Sequence, residues 1–85
     1  MTPYRVIWEP DAESMLADLW LDAADRNSVT SAQADVDRLL ARDPYFHGQL
    51  LSEGLYRLRV GGLIVNFTIA VDARLVQVTW VRSSP

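Results

Sequence analysis

Residues 55–82 read LYRLRVGGLIVNFTIAVDARLVQVTWVR, and few folds can accommodate such a stretch. Side chains two apart on a strand share a face. Tyr56, Leu58 and Val60, then Val65, Phe67 and Ile69, then Val76, Val78 and Trp80 make one almost wholly apolar set. Arg57 and Arg59, then Ile64, Asn66 and Thr68, then Gln77 and Thr79 make the opposite set, which is mostly polar. The pattern predicts three antiparallel strands with one face on a core and the other in water. Gly61-Gly62 supplies a hairpin turn, and Asp72 with Ala73 a less marked one.

The remaining residues must cover the apolar face. Residues 4–8 alternate around Val6 and Trp8 and predict a strand. Pro10 suits a first helical turn, with Asp11 and Glu13 near the positive end of the helix. Ala12, Met15, Leu16, Leu19, Trp20 and Ala23 follow at helical spacing and predict a helix over about residues 10–24. Asp25 caps a second helix, whose apolar side is Val29, Ala32, Val36, Leu39 and Leu40. Pro44 ends it. Residues 44–54 show no period and read as a loop, held down by Leu50 and Leu51. The expected fold is therefore α+β in the order β-α-α-β-β-β. A helical hairpin packs on one face of a mainly antiparallel four-stranded sheet, in a single domain over residues 1–85.

Composition narrows the function classes. A chain of 85 residues buries only about 60–65% of its unfolded surface and gains from a partner. There is no cysteine, hence no disulfide or thiolate metal site. No apolar run has the length of a signal sequence or membrane span, and the expected setting is the cytoplasm, with no membrane partner. The formal net charge of −3 argues against nonspecific nucleic-acid binding, and no direct sequence-specific DNA binding is expected. All eight basic residues are arginine, whose planar fork suits phosphate and carboxylate.

The order of elements and several short pieces resemble the RelE/ParE superfamily, the toxins of type II toxin–antitoxin systems, often labelled plasmid stabilisation proteins. The pieces are YRVIW, EPDAESMLADLW, RLLARDP, the G-x-Y-R-L at residues 54–58, and VDARLVQVTWV. The resemblance implies a growth-inhibiting toxin neutralised by a cognate antitoxin, with no cofactor and no metal. It also implies one of two mechanisms. RelE-like members cut messenger RNA in the ribosomal A site without a metal; ParE-like members poison DNA gyrase.

Carried over residue by residue, the nuclease set is incomplete. Arg57 and Arg59 match two basic positions on the first strand of the meander. Ile64 stands where a further arginine is usual. Arg82 lies about two positions early for another, and Ser83, Ser84 and Pro85 stand where a tyrosine or histidine would move the proton. The leading expectation is thus a ParE-like toxin acting by protein binding, with gyrase as its target. The alternative is a ribosome-dependent endoribonuclease using Arg57, Arg59 and Arg82. A non-toxic interaction domain is the third reading.

Arg57 and Arg59 read equally as solvated strand arginines or as a grip on an anion. Arg5, Ile7 and Ile64, with Asn66, would form a part-apolar patch beside them, which suits a protein partner. Trp8, Trp20 and Trp80 fall on apolar sides and read as core, and Tyr56 shares the core face. Tyr45 and Phe46 read as a partner anchor or as a cap on the core edge. His47 reads as a surface residue, and the acidic residues of the first helix as a solvated face.

Overall fold

Local chemistry sets the helix ends where the spacing places them. The computed structural model describes residues 3–84; Met1, Thr2 and Pro85 lie outside the described residues. Strand β1 (Arg5–Trp8) leads into α1 (Pro10–Asp22), with Pro10 in the first turn. Helix α2 (Arg26–Arg42) starts at Asp25, whose carboxylate accepts from the backbone N–H groups of Asn27 and Ser28. These are two of the donors that a helix start leaves without partners. Asp43 serves both ends of the next junction. Its N–H donates to the Leu39 carbonyl, closing α2, and its side chain accepts from Phe46 N–H. That second cap starts a one-turn helix, α3 (Pro44–His47), inside the stretch expected to be loop.

Among the described residues the sheet has five strands, not four. Beyond α3 run β2 (Gln49–Ser52), β3 (Leu55–Val60), β4 (Leu63–Ala70) and β5 (Leu75–Ser83). Their order is β1-β5-β4-β3-β2, with β1 parallel to β5 and the other pairs antiparallel. Strand β2 escapes sequence reading because pairing, not burial, makes it a strand. All four of its residues are exposed, and a bulge lies between Leu50 and Ser52. Leu50 is 61% exposed, so Leu50 and Leu51 do not hold the segment down as expected.

Both helices lie against one side of the sheet. Ala12 and Leu16 from α1, and Ala32, Val36 and Leu40 from α2, pack with Leu58, Val65, Phe67, Val76 and Val78. Tyr56 stacks on Phe67 with centroids 5.7 Å apart, on the core side as expected. Trp8 is buried, and its Nε1–H donates to Asp37 Oδ1 at 2.7 Å, tying β1 to α2. Trp20 departs from expectation. It sits on the flank of α1 that turns toward α2, is 39% exposed, and carries the Arg26 guanidinium 4.6 Å above its ring. With Leu16, Ala17 and Val29 it lines a shallow groove of about 300 Å³ between the helices.

Two predictions arise from this packing. Gly61 and Gly62 have φ of 58° and 84°, as a two-residue hairpin turn of this hand requires. A Cβ on Gly61 would sit 2.8 Å from Ala32 Cβ, because the turn rests on α2. Gly61→Ala therefore meets both backbone strain and a clash, and costs about 1–3 kcal/mol in a urea melt. The second concerns Asp37. Lost hydration raises its carboxyl above the ordinary 3.8, while the Trp8 bond pulls the other way. A raised folded pKa gives stability that is whole below 3.8 and lost as pH rises through the folded value. Asp37→Asn, which can still accept from Trp8, should be more stable than wild type at neutral pH. The gap should narrow on acidification, as read from urea midpoints.

Candidate functional site

An irregularity in β5 decides which side chains reach the open face. Along β4 and β5, Asn66 pairs with Trp80 but Phe67 pairs with Val78. Thr79 is the extra residue, a β-bulge, and its Oγ1–H donates to the Asn66 carbonyl at 3.4 Å. Past the bulge the alternation shifts by one. Val81 enters the core, while Trp80 and Arg82 turn outward. Trp80 is thus not a core residue, which corrects the expectation from strict alternation. Without the bulge Arg82 would have faced the core, away from Arg57 and Arg59.

The register then builds two adjoining rows across the sheet. Gln49, Arg57, Asn66 and Trp80 stand side by side on β2, β3, β4 and β5. Next to them stand Arg59, Ile64 and Arg82. Arg57 Nε–H donates to Asn66 Oδ1 at 3.0 Å. The guanidinium carbons of Arg57 and Arg82 lie 5.8 and 5.5 Å from the Trp80 ring centre. Arg59 and Arg82 are exposed, and Arg57 and Trp80 partly so.

The part-apolar patch is not assembled. Ile64 is 0% exposed, enclosed in the row between Arg59 and Arg82, and offers no surface to a partner. Ile7 is 37% exposed but lies on edge strand β1, opposite Gln77, with Arg5 opposite Leu75 farther along. The structure brings Arg57, Arg59, Arg82 and Asn66 together; it leaves Arg5 and Ile7 apart from them.

Charge is sharply divided. Among the described residues no strand contains an acidic residue, and Arg5, Arg57, Arg59 and Arg82 all project from the open face. That face carries +4. The other four arginines and all eleven carboxylates give the remainder −7, which together make the −3 of the whole chain. The net charge therefore describes the helical side and is misleading for the sheet. Chemically the face can grip anions through guanidinium forks. Among the described residues it carries no histidine, tyrosine, lysine or carboxylate to move a proton. His47 lies in α3 with its ring edge-on to Phe46, and Tyr45 meets Tyr56 edge-on at the core margin. Phe46 is 78% exposed, so it is no cap on the core. Among the described residues no three His, Asp or Glu side chains converge as a metal site would need.

Sequence reading overlooked Trp80, although one signal was present. In V-Q-V-T-W-V-R, alternation kept through Trp80 would bury Arg82 and expose Val81. One extra residue after Val78 resolves both conflicts.

No family model and no curated protein sequence matches the chain. Among solved structures, it is similar to a chain of the toxin–antitoxin complex RelBE2 from Mycobacterium tuberculosis. The TM-score is 0.82 at 22% identity, over 99% of this chain and 94% of that one. The fold is RelE/ParE-like, as the resemblance implied.

Proposed function

We propose that this chain is the toxin of a type II toxin–antitoxin pair, and that it acts by binding, in the ParE-like manner, rather than by cutting RNA. What supports the first half is the likeness, over nearly the whole chain, to a chain of a toxin–antitoxin complex. What supports the second is the open face itself, where three arginines and a tryptophan stand with no proton-transfer group among the described residues. Nuclease chemistry without a metal needs such a group to take and return the proton. Guanidinium groups, protonated throughout the physiological range, supply charge only. The cognate antitoxin would neutralise the chain by covering this face or the helical hairpin. Gyrase is the first target to assay. The cytoplasm is the expected setting, and no described helix is long and apolar enough to cross a membrane.

The test is induced expression with and without the neighbouring open reading frame. Growth should stop without the neighbour and continue with it. Undisturbed growth at good expression would support the non-toxic reading instead. A second reading is kept because Arg57, Arg59 and Arg82 do share one face. Purified protein on programmed ribosomes should leave the message intact; A-site cuts lost in Arg57→Ala would establish the endoribonuclease.

A further inference from the structure

We infer that this chain pairs with a second copy of itself along the free edge of β2, with Leu50 and Phe46 of each copy packed against the other. The surface concerned lies apart from the arginine-bearing face, and the inference does not depend on the toxin reading.

The two edges of the sheet differ. Strand β1 is guarded: Arg5 places a charge on it, Pro3 and Pro10 flank it, and Tyr4 N–H donates to the Ala41 carbonyl of α2 at 2.8 Å. Strand β2 has none of these. It pairs with β3 alone, and residues 48–52 hold neither a charge nor a proline. Free edges usually carry one or the other, because their unpaired N–H and C=O groups invite another strand. Apolar side chains gather at the same place. Leu50 stands opposite Tyr56, whose ring meets Tyr45 edge-on at 5.7 Å, and Phe46 follows Tyr45 on α3. Exposure runs from 40% at Leu51 to 78% at Phe46. At roughly 200 Å² for a large apolar side chain, Tyr45, Phe46, Leu50 and Leu51 leave on the order of 450 Å² per copy. A pair would cover about 900 Å², near the roughly 1,000 Å² that a specific interface needs. The strand is short and bulged between Leu50 and Ser52, so side chains carry more of the contact than a strand ladder would.

Two features select a second copy as the occupant. The first is self-complementarity. Leu39, Arg42, Asp43, Phe46 and His47 line an open hollow of about 520 Å³ beside the strand. The patch thus holds a projecting ring next to a recess, and a cation next to an anion. A two-fold axis sets such a patch against its own copy, so that each half meets its complement. Each Phe46 then enters the recess of the other chain, and each Arg42 meets the other chain's Asp43. Among the described residues Arg42 has no ion-pair partner within its own chain. The second feature is the charge that the axis avoids. Pairing at an uncharged strand sets neither the basic open face nor the acidic helical side against its like.

The test is sedimentation velocity on the full chain from about 2 to 200 µM, since an interface of this small area gives pairing in the micromolar range. The mass should rise from one chain to two across that range. Leu50→Glu and Phe46→Glu should each weaken pairing by about tenfold or more, as loss of a central apolar contact does. Arg42→Glu should weaken it too, by setting like charges together. Leu21→Glu, at a similarly exposed leucine of α1, which packs over β5 and not β2, should leave it unchanged. Cross-linking checks the position. The chain has no cysteine, so Leu50→Cys carries a single thiol. It should form a disulfide-linked pair under mild oxidation, while Leu21→Cys should not. All the altered residues are exposed, and circular dichroism checks that each variant is folded. A single-chain mass at every concentration would overturn the inference. So would pairing unchanged in Leu50→Glu and Phe46→Glu, or Leu21→Cys cross-linking as fast. A chain that stays single, with β2 protected from hydrogen exchange only when the product of the neighbouring open reading frame is bound, would also overturn it and assign the edge to that product.

Discussion

Phe67→Ala should lower the midpoint of thermal unfolding by roughly 15–35 °C. Phe67 is fully buried in β4, stacked on Tyr56, and belongs to the core cluster to which α1, α2 and the strands contribute. Its ring tip also fills the space over the loop after α3, where a Cβ on Gly48 would come within 2.5 Å of Cζ. Removing the ring costs about 3–5 kcal/mol, through lost transfer energy and the cavity left behind. A domain of this size has about 4–13 kcal/mol in all, so the loss is a large share of the total. Phe67→Leu keeps most of the volume and should fall far less. A drop below about 5 °C for the alanine variant, by circular dichroism, would show that the core does not centre on this ring.

The Arg59→Glu, Arg82→Glu double variant should lose growth arrest while staying folded. Both side chains are exposed, and neither packs in the core. Changes at such positions usually move stability by less than about 0.5 kcal/mol each. Function is another matter. Two reversals take the open face from +4 to neutral and put carboxylates on both sides of the Ile64 row. An anionic partner then meets repulsion where it met forks. Arg57 is left in place, so its bond to Asn66 and its contact with Trp80 are not disturbed. Growth would be followed after induction, beside a melt of the purified variant. A variant that still arrests growth at equal expression would place the target contact elsewhere, with the groove between α1 and α2 the next surface to change.

Much of the frame could be read from residue order because local chemistry decides it. The period of α1 and α2, the Asp25 cap, the prolines at helix starts and the paired glycines each act within a few residues. The same locality explains the failures. Leu50 and Leu51 look like core residues, but they sit on an edge strand with no layer above them. Trp20 has helical spacing suitable for burial, but lies at the margin of the α1–α2 contact, where one face of its ring meets Arg26 instead. Ile64 looked like surface because it alternates with Val65, yet it is 0% exposed where it pairs between Arg59 and Arg82.

The candidate site shows the division most clearly. The amino-acid sequence by itself determined that an apolar-backed meander would form, that its other face would be polar, and that Arg57 and Arg59 would share that face. Alternation within one strand is a covalent property and needs no partner. Only the tertiary structure decided that Trp80 and Arg82 join them. That outcome depends on how β5 is registered against β4, where burying Val78 and Val81 together requires one extra residue, Thr79, between the two pairings. A shift of one residue exchanges the faces of everything beyond it. The basic, tryptophan-centred surface exists because the core claimed Val81, and the bulge carried Trp80 and Arg82 to the opposite side.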